Sequence, residues 1–318
     1  MPDVLFIKTS SLGDVVHHMP ALTEARARRP DIRFAWVVEE AFAPLVRLHP
    51  AVDEAIPVAA RRWRRALNEK ATWQEIGRFW RALRARRYDQ IIDTQGLFLK
   101  SGLIARCARG RRHGYDPNSI KEAFACVFYD ERHAVEWQQH AIARNRALTG
   151  KALGYEPDGP PDFGLDRAKL AASRGPPYGV LLHATARSDK EWPEANWRML
   201  AGALGTGIDL VVPYGTEPER ERAVRIAAAT ARARVPERSP LDQMARLIAG
   251  ASFVVGVDTG LLHLAAALGV PLVAIFTTSK PVLTGPMGSG PITVLGEYSA
   301  HVPVADVVEA VTALGFVT

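Results

Sequence analysis

Asp258, Thr259 and Gly260 stand where an apolar run (Phe253, Val254, Val255, Val257) gives way to Leu261-Leu262-His263-Leu264-Ala265. β-Branched residues bounded by glycine predict a strand buried on both faces, and the Leu/Ala-rich segment after it predicts a helix. The carboxylate is then delivered to the carboxyl end of a central parallel strand, the edge of an open α/β sheet at which ligands bind. The N–H groups of Thr259, Gly260 and Leu261 would open a helix N-terminus suited to a phosphate. A carboxylate beside an anion site fits a ligand carrying both hydroxyls and phosphates, as a nucleotide-sugar does. Taken alone, Asp258 serves equally well as a helix cap, and a histidine such as His263 is more often a satisfied helix residue than a contact.

Two further clusters follow strands in the same half of the chain. His183-Ala184-Thr185-Ala186-Arg187-Ser188-Asp189-Lys190-Glu191-Trp192 gathers hydroxyls with Lys190, a point charge able to neutralise a diphosphate. Pro213-Tyr214-Gly215-Thr216-Glu217-Pro218-Glu219 offers carboxylates that could hold a ribose. Neither cluster is specific alone, because loops are normally polar; together with Asp258-Thr259-Gly260 they line one edge of one sheet. No GxGxxG or GxxxxGK[ST] pattern is present, which argues against a dehydrogenase or a P-loop phosphotransferase.

The elements that must position these residues alternate strand and helix. Val4 to Lys8 is a strand, followed by the loop Thr9 to Asp14 and a helix from Val15 to Arg28 with Pro20 inside it. Arg33 to Val38 and Tyr88 to Thr94 are further strands, with helices over Leu97 to Ala108 and about Ala134 to Leu153. After a Pro/Gly/Asp-rich linker (GYEPDGPPDFGL), strands at Tyr178 to Leu182, Ile208 to Val212, Phe253 to Val257 and Leu272 to Phe276 alternate with helices near 194–205, 217–231, 241–249 and 260–268. Two runs of βα units predict an α/β chain of two doubly wound, Rossmann-like domains, 1–157 and 158–318, facing a central cleft.

Composition bounds the function. The chain has 318 residues, 47% hydrophobic and 23% charged, which excludes disorder and favours two domains. No apolar run is long enough for a transmembrane helix, and the N-terminus reads as a strand and not a signal peptide, so a cytoplasmic protein is expected. Cys107 and Cys126 lie in no metal-binding or redox spacing and are expected to be reduced thiols.

The net charge of +6 is unevenly held: residues 1–165 carry 26 Lys+Arg against 20 Asp+Glu, whereas residues 166–318 carry 14 against 14. The excess concentrates in Arg61 to Arg87, which has ten basic residues and two acidic ones. Such a patch can meet nucleic acid, an anionic membrane or a heavily anionic substrate. A solvated helix face accounts for much of Arg78 to Arg87, where Ile76, Phe79, Trp80 and Leu83 recur at helical spacing. It accounts poorly for Arg61, Arg62, Arg64 and Arg65. Trp63, Trp73 and Trp80 would suit stacking on nucleic acid, but the neutral second half is built for a small ligand, and no nucleic-acid partner is expected.

LFIKTSSLGDVVHHMPALTEA, WVVEEAFAPL, IPVAARRWR, IDTQGLFLKS, RRHGYD, LLHATARSDKEWPEANWR and VGVDTGLLHLAAAL together resemble the lipopolysaccharide heptosyltransferases of glycosyltransferase family 9. The resemblance spans nearly the whole chain. KTSSLGD and HATxRxDKxWP are its specific motifs, and D-[ST]-G-x-x-H is shared more widely across the family. It implies a GT-B fold, with residues 1–157 binding acceptor and 158–318 binding nucleotide-sugar, and a last helix that packs back on the first domain. It also implies inverting transfer of L-glycero-D-manno-heptose from ADP-heptose to the Kdo of Kdo2-lipid A, with no cofactor required and peripheral contact with the inner membrane. The general base falls on Asp14, and the diphosphate and sugar contacts on Thr185, Ala186, Lys190, Asp258, Thr259 and Gly260. The ribose carboxylate falls on Glu219, with Glu217 and Glu221 open as alternatives, and a donor-side histidine on His263. Acceptor contacts fall on Ser11, Gly13, Arg61, Arg62, Arg64 and Arg65. Where the family often has two adjacent threonines, this chain has Thr185-Ala186, so one hydroxyl contact is lost or replaced by backbone. Rival readings are a transferase that uses a heptose acceptor and a nucleotide-sugar epimerase on the same fold.

Overall fold

A computed structural model describes residues 1–171, 175–278, 281–296 and 301–316, divided between two compact units, Met1–Gly164 and Leu165–Thr318. The first unit holds β1 (Asp3–Ile7), β2 (Arg33–Glu39), β3 (Glu54–Val58), β4 (Gln90–Asp93), β5 (Arg111–Tyr115) and β6 (Glu131–His133), in spatial order β3-β2-β1-β4-β5-β6. The second holds β7 (Tyr178–Leu182), β8 (Asp209–Val211), β9 (Ala233–Arg234), β10 (Phe253–Val257), β11 (Leu272–Ile275) and β12 (Ile292–Leu295), in order β12-β11-β10-β7-β8-β9. Every pairing is parallel. Counted from its own first strand, each sheet reads 3-2-1-4-5-6, the doubly wound order, in which the connections reverse direction between strands 1 and 4. The loops after β1 and β4, and after β7 and β10, therefore flank a switch point at the carboxyl edge of each sheet.

The central strands are apolar because helices cover both faces. β10 is buried at all five positions, and its Phe253 ring fills the space beside Gly179, where an added Cβ would come within 2.4 Å of it. In the first unit a Cβ on Gly114 would lie 2.2 Å from the Tyr129 ring. Substituting either glycine would push on an aromatic core residue and not on a flexible side chain.

Several elements differ from the sequence expectation. β3, β5, β6, β9 and β12 were not expected as strands: β5, β6 and β9 are rich in charge and carry no apolar run, and β3 and β12 are short, partly exposed edge strands, β3 with Pro57 inside it. The helix expected over 15–28 is two, Leu12–Val16 and Met19–Arg28, with Pro20 in the first turn of the second, where its missing N–H costs nothing. The helix over 97–108 begins as a π-turn, Phe98–Gly102, and continues as Leu103–Cys107. The helix expected from Ala134 starts at Ala141.

The first unit also runs seven residues past the expected boundary. Arg146 pairs with Glu24 at 2.9 Å and donates to the carbonyls of Asp158 and Gly159, the Asp158 N–H donates to Glu24, and Phe163 is buried. In the last helix, Val304–Ala313, Val307 and Val311 pack into the second unit's core with Leu181, Trp192 and Trp197. Cys107 and buried Cys126 are both free thiols.

Burial pushes His49, His113 and His183 down to about 4. Each is neutral in the folded chain near neutral pH and recovers an ordinary value near 6.5 when unfolded. Between pH 6.5 and 4 the unfolded chain therefore binds more protons, and stability falls as pH falls, by about 1.4 kcal/mol per pH unit for each proton taken up. Urea midpoints should drop between pH 7 and pH 5; a flat profile would mean that these imidazoles are solvated.

Candidate active site

In the first unit the switch point is built from the loops after β1 and β4. Asp93, the last residue of β4, is wholly buried, and burial raises its pKa. Its Oδ2 accepts from Tyr129 Oη at 2.7 Å, and its Oδ1 from the Gln95 and Gly96 N–H groups at 2.9 and 3.1 Å. Gln95, fixed in this way, accepts from the Thr9 N–H at 2.6 Å and the Thr9 hydroxyl at 2.7 Å, and donates Nε2–H to the Ser10 carbonyl at 2.8 Å. Lys100 Nζ donates to Ser10 Oγ. Lys8 is buried with Nζ 2.9 Å from the Thr94 carbonyl; burial lowers its pKa, and Asp14 and Asp93 oppose that shift. Gln95 thus holds the Thr9 and Ser10 backbone, and Lys100 the Ser10 hydroxyl.

Asp14 lies in the first turn of Leu12–Val16, where its Oδ2 accepts from the Ser11 N–H at 2.7 Å and the Ser11 hydroxyl at 2.8 Å. The carboxylate is therefore a cap on a five-residue helix as well as a half-exposed acid at the sheet edge. Gly13 sits in the same turn and its carbonyl accepts from the His17 N–H. Gln95 and Lys100 were not singled out in the sequence as site residues; the signal was present in IDTQGLFLKS, because polar groups after a buried strand sit at the carboxyl edge.

The four arginines do different things. Arg62 is tied to Glu40 at 2.9 Å and Glu75 at 2.8 Å, and these carboxylates hold its guanidinium well above the usual range. An acceptor would meet its guanidinium already shared between two carboxylates of the fold. Arg61 lies over the Phe42 ring at 5.5 Å, with its N–H on Glu39. Arg64 and Arg65 are exposed, and among the described residues Arg61, Arg64 and Arg65 form no ion pair.

In the second unit the loop after β7 meets the loop after β10. Thr185 Oγ1 donates to the Asp258 carbonyl at 2.9 Å, bridging the two. The Asp258 carboxylate takes Lys190 Nζ on Oδ2 at 2.6 Å and has His263 Nε2 3.5 Å from Oδ1. The sequence assigned Lys190 and Asp258 to different parts of a ligand; the fold pairs them directly, with only 20% and 10% of their side chains exposed. An incoming anion must therefore share or take Lys190 from Asp258. Thr259 stands in extended conformation just before the helix Gly260–Ala267 without a side-chain cap bond, and His263 is buried on that helix. Ala186 is exposed beside Thr185.

Glu219 bends back to accept from the Gly215 and Thr216 N–H groups, at 2.7 and 3.1 Å, capping the helix Glu217–Ala227 at the end of β8. Glu217 instead pairs with Arg220 on the surface. Of the carboxylates in this segment, Glu219 faces the turn after the strand. Among the described residues no group of three or more His, Cys, Asp or Glu side chains is arranged to hold a metal ion, and no helix is long and apolar enough to cross a membrane.

Comparison with known proteins places this geometry in a context. Residues 76–306 match the family described as glycosyltransferase family 9 (heptosyltransferase). The lipopolysaccharide heptosyltransferase 1 of Salmonella typhimurium strain LT2 is 45% identical over 289 residues, covering 90% of this chain and 91% of that protein. The solved structure of E. coli heptosyltransferase WaaC with ADP superposes with a TM-score of 0.92 at 40% identity, covering 98% of this chain and 99% of that one. The same enzyme with ADP-2-deoxy-2-fluoro heptose gives a TM-score of 0.88 over the same shares.

Proposed function

The chain belongs to glycosyltransferase family 9, the heptosyltransferases, and from that premise we propose that it moves L-glycero-D-manno-heptose from ADP-heptose to the Kdo of Kdo2-lipid A, with inversion. Its two parallel-sheet α/β units are those of a GT-B glycosyltransferase. What carries the reading is the near end-to-end likeness to a lipopolysaccharide heptosyltransferase 1.

In the proposed step the acceptor hydroxyl attacks the anomeric carbon, its proton passes to Asp14, and the bond to the ADP oxygen breaks on the opposite face. Lys190 and the N–H groups at Thr259 and Gly260 meet the charge growing on the diphosphate, so no metal is required. Asp258, with His263 behind it, takes sugar hydroxyls, and Glu219 takes the ribose. The chain works at the cytoplasmic face of the inner membrane as a peripheral protein.

The test is incubation of the purified chain with ADP-heptose and three acceptor conditions: deacylated Kdo2-lipid A, a heptose-terminated core, and none. One added heptose on the Kdo acceptor alone is expected, unaffected by EDTA. Product only on the heptose-terminated core would assign the other transfer, and isomerised donor without acceptor would assign epimerase chemistry.

Arg64→Ala and Arg65→Ala should raise the acceptor KM and leave that for ADP-heptose unchanged. The acceptor KM should also climb with salt, because the Debye length is about 8 Å at physiological ionic strength. Arg62→Ala should instead cost below about 1 kcal/mol of stability, since its partners are surface carboxylates. Steady-state kinetics across a salt series decides; insensitivity of the acceptor KM to both variants and to salt would remove the arginines from the site.

A further inference from the structure

The first unit contains a cavity of about 1100 Å³, slightly larger than the usual small-molecule pocket of about 300–1,000 Å³. Its walls include Trp63, Leu67, Phe79, Trp80, Leu103 and Phe124, and Arg64 and Lys100 also line it. Leu67, Leu99, Leu103 and Phe124 are exposed to solvent although their side chains are large and apolar. An open apolar hollow of this kind marks a binding surface and not ordinary exposed side chains.

Its chemistry narrows the occupant. The polar wall groups are already engaged: Trp63 Nε1 donates to Glu75 at 2.9 Å, and Glu122 accepts from the Phe98 N–H at 2.7 Å. A peptide or sugar placed inside would have its own donors and acceptors unpaired against aromatic rings, which is costly. An unsubstituted hydrocarbon chain loses nothing there. The two lining cations, Arg64 and Lys100, suit an anionic group at the end of that chain. Lys100 also reaches the loop that carries the base, because its Nζ donates to Ser10 Oγ, and the next residue, Ser11, holds Asp14. Burial lowers the Lys100 pKa, with Arg61 and Arg64 adding to the shift and Glu39 and Asp14 opposing it, so these groups share one neighbourhood.

We propose that the cavity takes one acyl chain of an anionic lipid, with the headgroup at Arg64 and Lys100, so that the lipid's sugar is presented to Asp14. The proposal rests on the reading of the acceptor as a lipid-linked sugar, and deepens it by giving the lipid tail a site. The tail then contributes to acceptor affinity and not only to residence at a membrane.

Two arms test it on the full chain. Calorimetric titration with dodecyl phosphate, below its measured critical micelle concentration, should give a Kd at least about tenfold tighter than inorganic phosphate or dodecyl maltoside, a gain of about 1.4 kcal/mol. Leu103→Glu, and as a second variant Leu67→Glu on a half-exposed turn, should abolish that gain while circular dichroism melting stays near wild type. In the transfer assay the same variants should raise the KM for acylated acceptor about tenfold and leave deacylated acceptor unchanged.

Dodecyl phosphate binding no tighter than inorganic phosphate, or equal KM effects on both acceptors, overturns the proposal. A dimer that dissociates in the variants, seen by sedimentation, assigns the cavity to a second copy of the chain and also overturns it. Should no acceptor receive heptose, the proposed activity fails, and the dodecyl phosphate arm still judges the cavity.

Discussion

Asp14→Asn should lower kcat by about 10²- to 10⁴-fold while the Kd for ADP-heptose stays within about twofold. The carboxylate is proposed to take the acceptor proton, whereas the proposed donor contacts lie in the other unit. The substitution is chosen because Asp14 Oδ2 also accepts two bonds from Ser11. An asparagine keeps a carbonyl oxygen for those bonds, so the helix Leu12–Val16 retains its cap and only the basicity is lost. Were Asp14 a cap alone, Asp14→Ala would cost about 0.5–2 kcal/mol of stability and Asp14→Asn would turn over normally. Rapid-quench measurement of the transfer step in folded Asp14→Asn separates the two, and a near-wild-type rate ends the assignment.

Lys190→Ala should weaken ADP by about ten- to hundredfold, the loss of about 1.5–3 kcal/mol expected for a hydrogen bond from a charged group. Asp258→Ala should do the opposite with ADP alone, leaving it equal or somewhat tighter, yet weaken ADP-heptose. The 2.6 Å pair between Lys190 and Asp258 supplies the reason. In the empty site the carboxylate occupies the ammonium, and a diphosphate must compete for it; removing the carboxylate ends that competition together with a repulsion. The sugar, by contrast, loses an acceptor for its hydroxyls, and His263 loses the carboxylate 3.5 Å away. Calorimetry with ADP and ADP-heptose on both variants tests this. Equal ADP losses in the two would show that Asp258 only positions Lys190.

The placement of the candidate residues at the sheet edges was legible because their local surroundings are distinctive. A buried strand ending in Asp-Thr-Gly, as at Phe253 to Gly260, marks the carboxyl edge of a sheet, and the KTSSLGD and DKEWP segments lie beyond β1 and β7 in the same manner. The edge strands were not legible. β6 reads Glu131-Arg132-His133 and β9 only Ala233-Arg234, and neither has the alternation or apolar run by which a strand announces itself. Their strand geometry comes from the neighbours that offer them hydrogen bonds.

The amino-acid sequence by itself determined the α/β class, the two runs of βα units, the excess of positive charge in the first, and the identity of the groups able to act as acid, base or anion ligand. Those properties depend on residue type and short-range spacing, which the chain carries wherever it folds. Only the tertiary structure decided how the groups are spent. It closed Lys190 on Asp258 across 68 residues, spent Arg62 on Glu40 and Glu75, turned Glu219 back to its own helix cap, and brought Gln95 and Lys100 to the Ser10 loop from 85 and 90 residues away. Whether a charged side chain is available to a ligand depends on which partner lies within about 4 Å, and long-range strand order sets that distance.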